Sequence, residues 1–133
     1  MAKKRSRCSD QGQYLVRCYN MLKSDAYRDL NTVARCLLEE LQIAHNGSNN
    51  GELSISTHNA KLLLKVSEPT AMNAFWDLYE HGFIDLMMPH LWKQHKAREW
   101  RLTFESYHGR EPSNDWMRWK PNEPVKRRPL KKT

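Results

Sequence analysis

Apolar positions along the chain change period several times, and each change marks an element. From Asn31 the apolar residues Val33, Ala34, Leu37, Leu38, Leu41 and Ala44 recur at spacings of one, three and four. That spacing places them on one face of a helix capped by Asn31, with Arg35, Glu39, Glu40 and Gln42 on the other side. The run His45-Asn46-Gly47-Ser48-Asn49-Asn50-Gly51 breaks the pattern, because its glycines and asparagines favour turns. Leu53 and Ile55 then alternate with Ser54 and Ser56, a brief strand that suits a place beside a later hairpin. Ser56 or Thr57 starts a second helix to about Leu64, with Ala60, Leu63 and Leu64 inward. Ser67 caps a third, Pro69 sits in its first turn, and Ala71, Ala74, Phe75 and Leu78 form its buried stripe. Gly82 ends it.

Beyond Gly82 the period falls to two. Phe83 to Met88 reads as a strand, 89–98 as a loop, and Glu99 to Phe104 as the returning strand. Before Asn31 the pattern is weaker. Tyr14 to Leu22 is either extended or a first helical turn, and Ser24 offers a cap for a short helix over Ala26–Leu30. The predicted fold class is mainly α with a small antiparallel β-hairpin (α+β), in the order of a winged helix-turn-helix. The expected organisation is a basic, disordered tail at 1–12, a winged-helix domain at 13–108, a tryptophan-containing segment docking on it at 109–121, and a basic, disordered tail at 122–133.

Composition supports one soluble domain: 133 residues, 39% hydrophobic and 28% charged. Nothing approaches the roughly 18 consecutive apolar residues of a membrane-spanning helix. The basic start Met1-Ala2-Lys3-Lys4-Arg5 has no apolar run behind it, so a secretory signal is not expected and the cytoplasm is. Cys8, Cys18 and Cys36 lack metal-binding or disulfide spacing; Cys36, inside the helical stripe, reads as a small core residue. The net charge of +7 is concentrated at the ends, where nine of the 22 basic residues lie; between those runs 13 basic residues face 15 acidic ones. Basic tails attract phosphate backbones without reading sequence.

A helix-turn-helix presents the start of its second helix to the major groove of duplex DNA. Here Glu68, Thr70, Met72, Asn73, Trp76 and Asp77 are expected to face outward. Ser67, Thr70 and Asn73 are the candidate DNA-binding residues of helix 67–81, since Asn suits the adenine edge. Wing 89–98 is the candidate phosphate contact, through Lys93, Lys96, Arg98 and the strand residue Arg101. Against this, helix 67–81 holds Glu68, Asp77 and Glu80 and no Lys or Arg. Lys65 stands where the turn between such helices commonly needs a positive φ, at a cost of about 1 kcal/mol.

Trp76, on the expected outer face, is either covered by the C-terminal segment or a partner anchor. Trp116 and Trp119 suggest a short helical turn docking back on the domain. The six histidines show no metal signature, and no nucleophile elbow, paired carboxylates or phosphate loop occurs. No enzyme, metal or cofactor is expected.

The chain resembles small winged helix-turn-helix proteins of proteobacterial phages, plasmids and integrative elements. The residues that carry the likeness include 46–51, Leu63-Leu64-Lys65-Val66-Ser67, Gly82-Phe83-Ile84, Glu99-Trp100-Arg101-Leu102-Thr103 and Trp116-Met117-Arg118-Trp119. The resemblance implies a regulator of transcription or replication that binds double-stranded DNA. The alternative is a protein-interaction module that kept the fold and uses the Met72/Trp76/Tyr79 face. A homodimer would match palindromic half-sites, but no long dimerisation helix specifies one.

Overall fold

A computed structural model describes residues 12–87 and 98–129. These residues form a mixed α+β fold of five α-helices and one two-stranded antiparallel sheet. The helices are α1 (Tyr19–Leu22), α2 (Asp25–Asp29), α3 (Thr32–Ala44), α4 (Thr57–Leu64) and α5 (Glu68–Glu80). Strands β1 (Ile84–Met87) and β2 (Glu99–Leu102) follow, then a 3₁₀ turn at Asp115–Arg118. Tyr14–Leu22 thus resolves into a segment outside regular structure followed by one helical turn.

Helix starts follow the expected capping chemistry. The hydroxyls of Ser24, Ser56 and Ser67 accept from the backbone N–H groups of Tyr27, Asn59 and Thr70, and Asn31 Oδ1 accepts from Ala34. Each such cap is worth about 1 kcal/mol. α4 stops at Lys65, whose φ of 57° and ψ of 48° are left-handed. Only Val66 and Ser67 then separate Lys65 from α5.

α3 presents Ala34, Leu37, Leu38 and Leu41, all fully buried, to α5. α4 packs on α5, and small residues are buried on both, Ala60 on α4 and Ala71 and Ala74 on α5. The hairpin closes the core. Ile84 pairs with Leu102 and Leu86 with Trp100 across the sheet. Leu53 adds an isolated third rung, exchanging backbone hydrogen bonds of 3.2 and 2.8 Å with Trp100. Trp100 stacks on Phe75 at 5.5 Å and meets the edges of Trp76 and Tyr79.

Buried Asn50 organises the junction between loop 45–51 and the hairpin. Its Nδ2 donates to the carbonyls of Leu102 and Ser106 at 3.0 Å and of Glu105 at 3.3 Å, while its Oδ1 accepts from Leu102 N–H at 2.7 Å. One side chain thereby serves the backbone where β2 ends. At Gly82, with φ of 85°, an added Cβ would lie 2.8 Å from backbone atoms of Asp115 and Trp116. That contact seats the 3₁₀ turn on the end of α5. Trp116 lies parallel to Phe83 at 6.3 Å, and Trp119 stacks on His81 at 4.8 Å, so both tryptophans of the Trp-Met-Arg-Trp element pack at the end of α5.

Several side-chain expectations are corrected. Trp76 is buried, its ring meeting those of Trp100 at 5.6 Å and Tyr79 at 5.5 Å rather than solvent. Cys36 is exposed, since the buried stripe of α3 runs through 34, 37, 38 and 41 and passes it by. Ala44 is also exposed. Gln42 is instead buried, donating to the Val16 carbonyl and accepting from Arg17. Leu63 is 52% exposed and Leu62 59%, because Ala60 and the partly buried Leu64, four apart, are the α4 residues turned toward the core. The tail expected to be disordered from 122 is instead tied to the domain over 122–129. Val125 N–H donates to the Glu80 carbonyl at 2.8 Å, Lys126 pairs with Asp85, and Arg128 pairs with Glu80.

Candidate nucleic-acid interface

The open part of α5 is its start. Ser67, Glu68, Pro69, Thr70 and Asn73 are exposed, whereas Ala71, Ala74, Phe75, Trp76 and Leu78 are buried. The Ser67 hydroxyl donates to Thr70 Oγ1 at 2.8 Å and also accepts from Thr70 N–H at 3.3 Å. The candidate readers Ser67, Thr70 and Asn73 therefore share one exposed surface at the positive end of the helix dipole. Glu68 shares it too and opposes an incoming phosphate. Asp77, expected outward, is half-buried; burial raises its pKa above the ordinary value of 3.8, with His81 pulling the other way.

The second half of α5 is covered. Asp77 Oδ2 accepts from Asn31 N–H at 3.3 Å. His81, at the end of the helix, sits between Asp29 Oδ2 at 2.8 Å and the Asp77 carbonyl at 2.7 Å. Glu80 holds Arg128, whose pKa is raised mainly by that hydrogen bond. Burial also raises the pKa of Tyr79, against the pull of Lys126. A ligand approaching α5 thus meets residues 67–73.

The four predicted phosphate contacts fare differently. Lys93 and Lys96 lie outside the described residues. Arg98 is half-buried, its guanidinium 5.4 Å from the centre of the Trp76 ring and Nη1 3.8 Å from Met72 Sδ. Burial lowers its pKa below the ordinary guanidinium value. Arg98 is therefore held against α5, directly before β2. Arg101 donates to Ser113 Oγ at 3.1 Å and pairs with Asp85 at 3.4 Å and Asp115 at 4.0 Å. The register decides its role, because Asp85 and Arg101 are direct cross-strand partners. Arg98 and Arg101 are thus both engaged by partners within the domain.

The Met72/Trp76/Tyr79 face is mostly covered. Trp76 is 9% exposed, and Met72 and Tyr79 are half-buried against the core. A feature that periodicity alone does not announce lies on α4. Lys65 is exposed and Lys61 half-exposed, four residues apart beside the start of α5, with Leu62 and Leu63 between them. The signal that could have found it is the pairing of Ala60 with Leu64 as the inward positions.

A separate groove of about 510 Å³ is lined by Gln13, Tyr14, Leu15, Gln42, Ile43, His45 and Asn46, none of them on α4, α5 or the hairpin. Among the described residues, no helix is long and apolar enough to cross a membrane. No family model matches the chain, and no curated protein or solved structure matches it.

Proposed function

We propose that the protein is a winged helix-turn-helix that binds double-stranded DNA, with the start of α5 in the major groove and wing 89–98 along the phosphates. The carrying observation is the α4–α5 pair. Two helices separated by three residues pack on each other, bury Ala60, Ala71 and Ala74, turn at left-handed Lys65, and leave Ser67, Thr70 and Asn73 open. A first turn free of packing is what groove entry requires, and hydroxyl and amide groups there can meet base edges. The antiparallel hairpin that follows α5 has the place of a wing.

Phosphate affinity in this reading comes from the flanks, since α5 carries no cation. Lys61 and Lys65 adjoin its start, Lys93 and Lys96 lie in the loop, and Lys3, Lys4, Arg5 and Arg7 precede the domain. The cellular role that goes with it is regulation of transcription or replication on a mobile element, as the resemblance implies.

The test is duplex affinity measured against salt. Removing one cation that touches a phosphate should flatten the slope of log K against log[salt] by about 0.9. Lys93→Glu with Lys96→Glu should weaken binding to all sequences and flatten the slope by about 2. Asn73→Ala should leave the slope unchanged while relaxing sequence preference by about 1–3 kcal/mol at one base pair. Affinity indifferent to salt and to both changes would overturn the proposal.

A second reading, a protein-contact module, is favoured by one observation: Leu62 and Leu63 expose more than half their surface on adjacent positions of α4. Leu62→Ser with Leu63→Ser would then abolish partner binding and leave DNA binding intact.

A further inference from the structure

The C-terminal segment is sequestered by the same helix whose start is proposed to meet DNA. From Trp119 onward it crosses the end of α5 and reaches β1. Trp119 stacks on His81, Val125 N–H donates to the Glu80 carbonyl, Lys126 pairs with Asp85 and leans 5.8 Å over the Tyr79 ring, and Arg128 pairs with Glu80. Apart from Trp119 and the backbone bond at Val125, these attachments are charged. The two acidic partners are largely covered, at 23% exposure for Glu80 and 19% for Asp85, while Lys126 and Arg128 remain 40% and 41% exposed. An outside anion can therefore reach the cations before they have left their partners. Arg127 between them is exposed, and Lys131 and Lys132 follow in the sequence.

We propose that residues 125–129 form a second polyanion-binding element, held in reserve on Glu80 and Asp85 and released by exchange of those carboxylates for DNA phosphates. The inference rests on the DNA-binding reading and adds regulation to it. In the docked state Lys126 and Arg128 are occupied by Asp85 and Glu80. In the released state they supply two more phosphate contacts. Breaking partly exposed ion pairs is cheap, each worth only a few-fold in equilibrium, so a polyanion of high charge density competes effectively.

The experiment compares full-length wild type, Glu80→Gln, and Glu80→Gln combined with Lys126→Gln and Arg128→Gln, on one 20-base-pair mixed-sequence duplex across a salt series. Asp85 is left unchanged because it also holds Arg101. Glu80→Gln frees Arg128 and should tighten binding about two- to five-fold, the equivalent of one exposed pair. The triple variant should lose that gain, and its salt slope should be flatter than that of the other two chains by about 2, for the two phosphate contacts removed. In parallel, the Val125 amide proton should exchange faster with solvent when wild type is saturated with duplex, while that of Trp100, bonded to Leu53 in the core, stays protected.

If Glu80→Gln tightens binding equally with Lys126 and Arg128 absent, its effect is only the removal of a repulsive charge, and the proposal is overturned. Unchanged Val125 exchange at saturation overturns it as well. Both outcomes leave DNA binding standing. No duplex binding by any of the three chains overturns that reading and this inference together.

Discussion

Asn50→Ala is the substitution most damaging to the join between the helices and the hairpin. The Asn50 side chain accepts from Leu102 N–H at 2.7 Å and donates to three carbonyls at 3.0–3.3 Å, inside a site that leaves it 5% exposed. Alanine leaves the buried Leu102 N–H without an acceptor, at a cost of about 1–3 kcal/mol, and the carbonyls regain partners only in part. The total is about 3 kcal/mol. At this chain length each kcal/mol moves Tm by roughly 3–5 °C, so Tm should fall by about 10 °C. Asn49→Ala is the control. Asn49 Nδ2 donates to the Ala44 carbonyl and its Oδ1 accepts from Asn46 N–H, both at 2.9 Å and both exposed, so water replaces these bonds and the loss should be about 1 kcal/mol. Urea unfolding followed by tryptophan fluorescence measures both. If the two alanine variants prove equally stable, the assignment of Asn50 as the hairpin's anchor is refuted.

The remaining predictions test other joints. Gly82→Ala places a Cβ 2.8 Å from backbone atoms of Asp115 and Trp116, and it should destabilise by about 2–4 kcal/mol and weaken the near-ultraviolet tryptophan signal; an unchanged signal and stability would contradict the seating of the 3₁₀ turn. At left-handed Lys65, stability should run Gly at or above Lys and both above Val, with Val about 1–2 kcal/mol below Gly; a Val variant as stable as Gly would show a different backbone there. The raised pKa of Asp77 means that the folded state favours its neutral form. Its contribution to stability is therefore full below the unfolded value of 3.8 and declines as pH rises through the raised folded value. Asp77→Asn should remove that decline from urea-derived stabilities measured between about pH 3.5 and 7; parallel pH profiles for the two chains would contradict it.

Element positions were legible because their signals are local. Asn31, Ser24 and Ser67 each cap the helix they precede, and Gly82 ends α5. The burial of Ala71, Ala74, Phe75 and Leu78 follows from periodicity. Side-chain roles near the candidate site were less legible because they depend on register and on distant partners. Arg101 looked like a surface cation until its pairing with Asp85 was set by the hairpin. Trp76 looked outward until Trp100 arrived across the core from beyond the loop. Lys126 and Arg128 looked like solvent-facing tail charges, because nothing in their own neighbourhood announces Glu80 or Asp85, more than 40 residues earlier.

The most direct test of the account is selection of bound duplexes from a random-sequence pool with the full-length protein. The account predicts an enriched motif that Asn73→Ala and Thr70→Ala blur at defined base pairs while Trp119→Ala leaves its sequence unchanged. A pool that emerges without enrichment, together with retention that does not fall as salt rises, would contradict it.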